Sequence, residues 1–375
     1  VGGDRMIYFD NAATSYPKPE VVYDAVDFAM REYSFNAGRG SYEAANKVHL
    51  MINETRKKIA EIVNGNCDDV VFTSSATESL NNIIYGLSLK KGDNVYVSPF
   101  EHNAIIRTLY AIGIKPLLLP FDNETWEFNE QKALSQMIIN KPKAIFISHI
   151  SNVTGFELPY NKIFNLSRKF DAINVLDSAQ GFGIYSIDNK NIDFIVFAGH
   201  KSLHAMFGIA GYIRCSKATL SKYKVGGTGS DSLNHDMPES FPSGYEAGSL
   251  NSVGIYSINV ALEFLKTAEF DIIENKLTKY FLEQVRDLRK ITVYLPKDYC
   301  SKGIVSFNIS GYTADEIGDI LANDYNICVR TGYHCAPYIH EFINSEKYAG
   351  TVRVSFNGFN KCEDIDLLIN ALREL

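Results

Sequence analysis

Residues 192–201 read IDFIVFAGHK. The run from Phe194 to Ala198 has no polar face, and a strand of that kind needs cover on both sides of its sheet. It stops at Gly199 and delivers Lys201 just past its carboxyl end. Four other segments repeat the form, a short β-branched or aromatic run ending in a small polar turn: DDVVFTSSATES (68–79), DNVYVSPFEHN (93–103), KAIFISHISNVTG (143–155) and INVLDSAQG (173–181). Apolar residues three or four apart in SLNNIIYGLSL (79–89) and YNKIFNLSRKF (160–170) predict helices between them. This strand-then-helix rhythm predicts an α/β fold with a mostly parallel sheet flanked by helices. Open parallel sheets bind ligands beyond the carboxyl ends of their strands. Thr77, His102, His149, Asp177 and Lys201 all fall at or past such ends, so they are expected to converge on one rim.

From about residue 255 the pattern changes. YSINVALEFLKTAEF (256–270) predicts a long helix. Shorter strands (GIVSFNI, 303–309; NICVRT, 326–331; TVRVSF, 351–356) and helices (ADEIGDILAND, 314–324; EDIDLLINAL, 363–372) follow it. The expected organisation is an N-terminal segment over 1–17, a large domain over 18–255 and a smaller α+β domain over 256–375.

Composition narrows the function. At 375 residues and 46% hydrophobic the chain can bury a large core, and 22 Tyr with 23 Phe exclude low-complexity disorder. A net charge of −7 argues against coating nucleic acid. No apolar run approaches the roughly 18 residues a membrane span needs, and no basic-then-apolar leader is present, so a cytoplasmic location is expected. The 6 cysteines contain no CxxC pair, which speaks against a disulfide scaffold and a structural zinc site; no metal is expected.

Each candidate residue admits two readings. Lys201, near a pocket, would have its pKa lowered by desolvation and become a Schiff-base-forming nucleophile; otherwise it is a solvated strand-end lysine. Asp177 is a rim carboxylate suited to a pyridinium nitrogen, or a turn cap. His102 could stack on a flat cofactor or simply complete a turn. Thr77 stands in SSATES, where hydroxyls and helix N–H groups could hold a phosphate or merely cap the helix. Cys335, in VRTGYHCAP (329–337), lies in a Gly-containing loop near Arg330 and His334, whose positive charge would favour the thiolate. Cys328, in apolar NICV, fits an inert buried cysteine. Arg353, inside a strand, needs a carboxylate partner, either a substrate or an internal Asp or Glu.

Taken together, FDNAATS, NAGRGSY, ATES, EHNA, HISNVTG, DSAQ, GHK, GGTGS, YEAGSLN and RTGYHCAP occur in an order that resembles the cysteine desulfurases, in the class V aminotransferase branch of the fold-type I enzymes that use pyridoxal 5′-phosphate (PLP). The likeness runs from residue 8 to residue 360. It implies that Lys201 holds PLP covalently, Asp177 pairs with the ring nitrogen and His102 stacks on the ring. Asn152 and Gln180 would lie near the phenolic oxygen or the lysine linkage. Thr77 and His200 would bind the phosphate, with Ser249 arriving from the neighbouring subunit of a homodimer. Arg353 would take the substrate carboxylate, with Asn36 and Arg39 ordering the entrance, and Cys335 would accept sulfur from L-cysteine as a persulfide, for a sulfur-acceptor protein. Departures from the usual pattern are Ala198 for Ser, Ser249 for Thr, Tyr333 for His, and a 202–211 turn carrying His204, Ala205 and Met206. The same residues also suit a selenocysteine lyase or another PLP-dependent C–S β-lyase, and, in a different class, a non-catalytic scaffold.

Overall fold

The computed structural model describes residues 5–37, 40–229 and 233–375. A two-residue strand, β1 (Ile7–Tyr8), precedes helices α1 (Glu20–Glu32) and α2 (Glu43–Ile62). The principal sheet follows, built from β2 (Val70–Thr73), β3 (Asn94–Val97), β4 (Leu117–Leu118), β5 (Pro142–Ser148), β6 (Ile173–Asp177), β7 (Phe194–Ala198) and β8 (Ala210–Arg214). Its spatial order is β2-β8-β7-β6-β5-β3-β4. Neighbours from β7 to β4 run parallel, and only β8 is reversed, pairing antiparallel with β7 and β2. Helices α3 (Ala76–Gly86), α4 (Asn103–Ala111), α5 (Glu130–Ile139) and α6 (Tyr160–Ser167) connect the strands.

The all-apolar run in β7 has the physical cause expected of it. Ile195 and Phe197 enter one hydrophobic core, while Phe194 and Val196 enter another on the opposite face. Ile145 and Ile147 of β5 divide from Ala144 and Phe146 in the same way. With both faces covered, the polar turns at the strand ends become the place where ligands can reach the sheet.

Helix α7 (Ser252–Ala268) crosses residue 255 without a break and packs on α1 and α2; its Ile255, Ile258, Ala261 and Leu262 belong to a core of the principal sheet. A separate core begins in α8 (Phe270–Val285) at Leu277. It gathers β9 (Ile291–Val293), β10 (Ile304–Ile309), α9 (Ala314–Tyr325), β11 (Ile327–Cys328), β12 (Arg330–Gly332), β13 (Thr351–Ser355) and α11 (Cys362–Glu374) into the C-terminal unit, whereas α10 (Ile339–Phe342), between β12 and β13, packs Ile339 and Phe342 on a core of the principal sheet. Four of these strands form an antiparallel sheet in the order β12-β13-β10-β9. The N-terminus joins it: β1 pairs in parallel with β11, and Ile7 and Phe9 lie in its core.

One buried ion pair anchors the loop that carries Ser249. Glu246 takes Arg56 Nη2 at 2.6 Å and the Phe72 N–H at 2.6 Å, and both side chains are almost fully enclosed. Removing one member strands the other charge away from water. Arg56→Met is therefore expected to lower unfolding free energy by about 3–5 kcal/mol in a denaturant titration.

Candidate active site

A cavity of about 150 Å³ opens where β2, β3, β5, β6 and β7 end. Thr77, His102, Asp177 and Lys201 line it, together with Asn152 and Gln180. His149, the fifth strand-end residue, does not: it is buried, with Nδ1 3.1 Å from Ser178 Oγ and Nε2 3.7 Å from Glu157.

Asp177 closes β6. Its carbonyl accepts the His149 N–H at 2.8 Å and its Oδ1 accepts the Ala179 N–H at 3.0 Å. Burial raises its pKa, opposed by that N–H and by Lys201. Lys201 is pulled below the ordinary lysine range by burial, against the attraction of Asp177. Near neutral pH a larger fraction of an amine so poised is unprotonated than of a solvated lysine, and only that form can act as nucleophile or base.

His102 caps α4, its Nδ1 accepting the Ala104 N–H at 3.0 Å. Burial, then the charges of Lys201, Arg353 and Arg107, push its pKa down to about 3. The ring is thus neutral, with its proton on Nε2. At α3 the cap is Ser75, whose Oγ accepts the Glu78 N–H at 3.1 Å. Thr77 is left free of capping, and the first turn of α3 meets the cavity with the N–H groups a helix start leaves unpaired. His200 also lines the cavity; its ring stacks on Phe207 at 4.6 Å, and its buried Nδ1 has no partner among the described residues.

Other expected residues stand elsewhere. Ser249 borders a different cavity of about 330 Å³, with Thr73, Gly208 and Lys224. Asn36 is exposed and outside the first cavity's lining, and Arg39 lies outside the described residues. Arg353 is buried with an internal partner: Nη2 donates to Asp10 Oδ1 at 2.7 Å and Nη1 to the Asn152 carbonyl at 2.8 Å. Cys335 is exposed on the loop after β12, and its carbonyl accepts the Asn103 N–H at 2.6 Å. That contact ties it to the first residue of α4, beside His102, and Cys335 is near enough to act electrostatically on Lys201. Cys328 is half-buried beside β1, and burial pushes its thiol pKa up.

A profile of the class-V aminotransferase family matches residues 7–368. The chain belongs to that family. It is 32% identical to a protein of Ureaplasma parvum named a probable cysteine desulfurase, over 98% of this chain and 93% of that one. A Pyrococcus abyssi protein of the same name is 30% identical over 99% and 94%. The structure of an apo cysteine desulfurase from Thermococcus onnurineus superposes with a TM-score of 0.88 at 27% identity, covering 98% of this chain and 94% of that one.

Three polar residues of this class-V aminotransferase site had no role in the sequence reading. Asp10 neutralises Arg353. Glu101, wholly buried next to His102, accepts Ser98 Oγ at 2.5 Å and, from Ser148 on the cavity wall, N–H at 3.0 Å and Oγ at 2.7 Å. Burial pushes its pKa up to about 7, Asp177 adding to the rise. His340 lies 5.9 Å from the His334 ring and meets Tyr333 edge to face at 5.1 Å, so the residue that follows Tyr333 has a second histidine behind it.

These groups give stability a pH dependence. Burial holds His102, His200 and His204 at about 3, 4 and 3, so below about 6.5 the native state binds fewer protons than the unfolded chain. Their contribution is complete above 6.5 and is lost as pH falls through those values. Glu101 and Glu274, raised by burial to about 7 and 8, act oppositely: their contribution is complete below 4.5 and is lost as pH rises through 7 and 8. Thermal melts between pH 4 and 8 are expected to peak near pH 6.5, with the steeper fall on the acid side.

Proposed function

We propose that the chain is a PLP-dependent cysteine desulfurase, converting L-cysteine to L-alanine and moving the sulfur to Cys335 as a persulfide. The observation that carries this reading is a thiol on a loop tied to the wall of the cavity that also holds a desolvated amine and a buried carboxylate. Transamination has no use for such a thiol.

The residues present fit PLP. Lys201 supplies the amine for its aldehyde, Asp177 an acceptor for its ring nitrogen, and the start of α3 with Thr77 a cradle for phosphate. The orphaned Nδ1 of His200 is a further polar group for the same end. When bound, PLP supplies an electron sink for the charge left as the substrate loses its Cα proton. Lys201 removes that proton and later returns one. His102, neutral, packs against the ring without adding charge. The Cys335 thiolate attacks the substrate sulfur; an S–S bond forms, the C–S bond breaks with its electron pair going to carbon, and L-alanine leaves after protonation. Arg353, already paired with Asp10, keeps its Nε unpartnered among the described residues and would offer it toward the substrate carboxylate. Ser249 would complete the phosphate site of a second subunit, and the persulfide would pass to a sulfur-acceptor protein in the cytosol.

The test is direct. Purified protein should absorb in the visible, borohydride should fix the cofactor on the peptide containing Lys201, and L-cysteine should yield L-alanine while the Cys335 peptide gains one sulfur atom. Colourless protein that gains nothing on adding PLP would overturn the reading.

A further inference from the structure

We propose that Asn152 is a positioning residue that holds the Cys335 loop against the cofactor cavity; the assignment rests on the reading of Cys335 as the sulfur acceptor. His334 and Cys335 have φ of 46° and 55°, two successive non-glycine residues in the left-handed region. Side chains disfavour that conformation, so it persists only where surrounding contacts hold it. The His334 ring is fixed from below, Nε2 lying 2.9 Å from Thr351 Oγ1. Its carbonyl faces the cavity side and is held by Asn152 Nδ2 at 2.8 Å. A carbonyl only accepts, so the group facing it is the amide NH₂. The second N–H and the carboxamide oxygen remain for the cavity that Asn152 lines. The Asn152 carbonyl in turn accepts Arg353 Nη1, so one residue joins the cavity wall, the arginine and the strained loop. The Asn103 N–H on the Cys335 carbonyl is a second, independent tie and survives loss of the first.

The experiment compares the full-length holoenzyme with Asn152→Ala and with Asn152→Asp, which keeps the shape but has no amide hydrogens. Amide hydrogen exchange of residues 331–337 should speed up about 10-fold in both, as expected for loss of one hydrogen bond, while β5 and β6 keep their protection. In steady-state assays kcat for alanine formation should fall about 10-fold with KM for L-cysteine retained. Unchanged loop exchange, acceleration shared equally by β5 and β6, wild-type behaviour of Asn152→Asp, or a rise in KM at constant kcat would each overturn the assignment. The exchange measurement needs no turnover, so it fails or succeeds separately from the desulfurase reading, which stands on the Lys201 adduct.

Discussion

Cys335→Ala is expected to leave the fold and the cofactor absorbance intact while alanine formation from L-cysteine drops by at least about 10³-fold. The fold should survive because the side chain is exposed and its structural contact is made by the backbone: the carbonyl accepts the Asn103 N–H. The residue sits at φ 55°, which alanine meets with the same Cβ and so with the same strain. The Lys201 amine, Asp177 and the α3 terminus are untouched, so cofactor binding should be unaffected. On the proposed mechanism, what disappears is the atom that takes sulfur, so the C–S bond has no acceptor and removal of the Cα proton by Lys201 would lead back to cysteine. Single-turnover alanine formation, followed by chromatography alongside the absorption spectrum, measures the loss. Undiminished desulfuration in this variant would remove Cys335 from the mechanism. Activity retained on selenocysteine but lost on cysteine would favour a selenocysteine lyase, because selenium leaves carbon more readily and depends less on a protein thiol.

The parts of this site legible in the sequence are those set by local pattern. Asp177 and Lys201 could be placed at strand ends because β6 and β7 are short apolar runs bounded by small polar turns. Cys335 could be told from Cys328 because one follows a glycine turn and the other lies in an apolar strand. What stayed hidden depends on contacts between distant residues. Asp10 and Arg353 are separated by 343 positions, and the pairing of β1 with β11 and the approach of Phe9 to Ser355 help bring them together. His149 follows β5 as Asp177 ends β6, yet it is buried against Ser178 and Glu157, which no one-strand pattern foretells. Helix α7 starts at Ser252 because Asn251 caps it, accepting the Gly254 N–H at 2.9 Å. Its core is decided by α1 and α2, about two hundred residues earlier in the chain, so the change of periodicity near 255 carried no information about packing.

Lys201→Ala is expected to have the other large effect: no covalent cofactor adduct and a fall in alanine formation of at least about 10³-fold. Two losses combine. On the proposed mechanism the variant lacks both the amine that would fix the cofactor and the base that would move the Cα proton. Lys201→Arg separates these from simple charge. Guanidinium keeps a positive group near Asp177, but it stays protonated at any working pH and cannot act as nucleophile or base. If Lys201 served only to neutralise Asp177, the arginine variant would keep most of the activity; if its amine does the chemistry, arginine should be as inactive as alanine. The pH profile adds an independent check. Burial lowers the Lys201 pKa and Asp177 opposes the shift, so in the cofactor-free protein Asp177→Asn should lower the pKa of the free amine further, read from the pH dependence of its chemical labelling. Borohydride trapping with peptide mapping, run on the three Lys201 forms, decides the matter. A cofactor adduct on any lysine other than Lys201 in the wild-type protein would mean that the strand-end amine is a bystander and that the carboxylate beside it answers to some other cation.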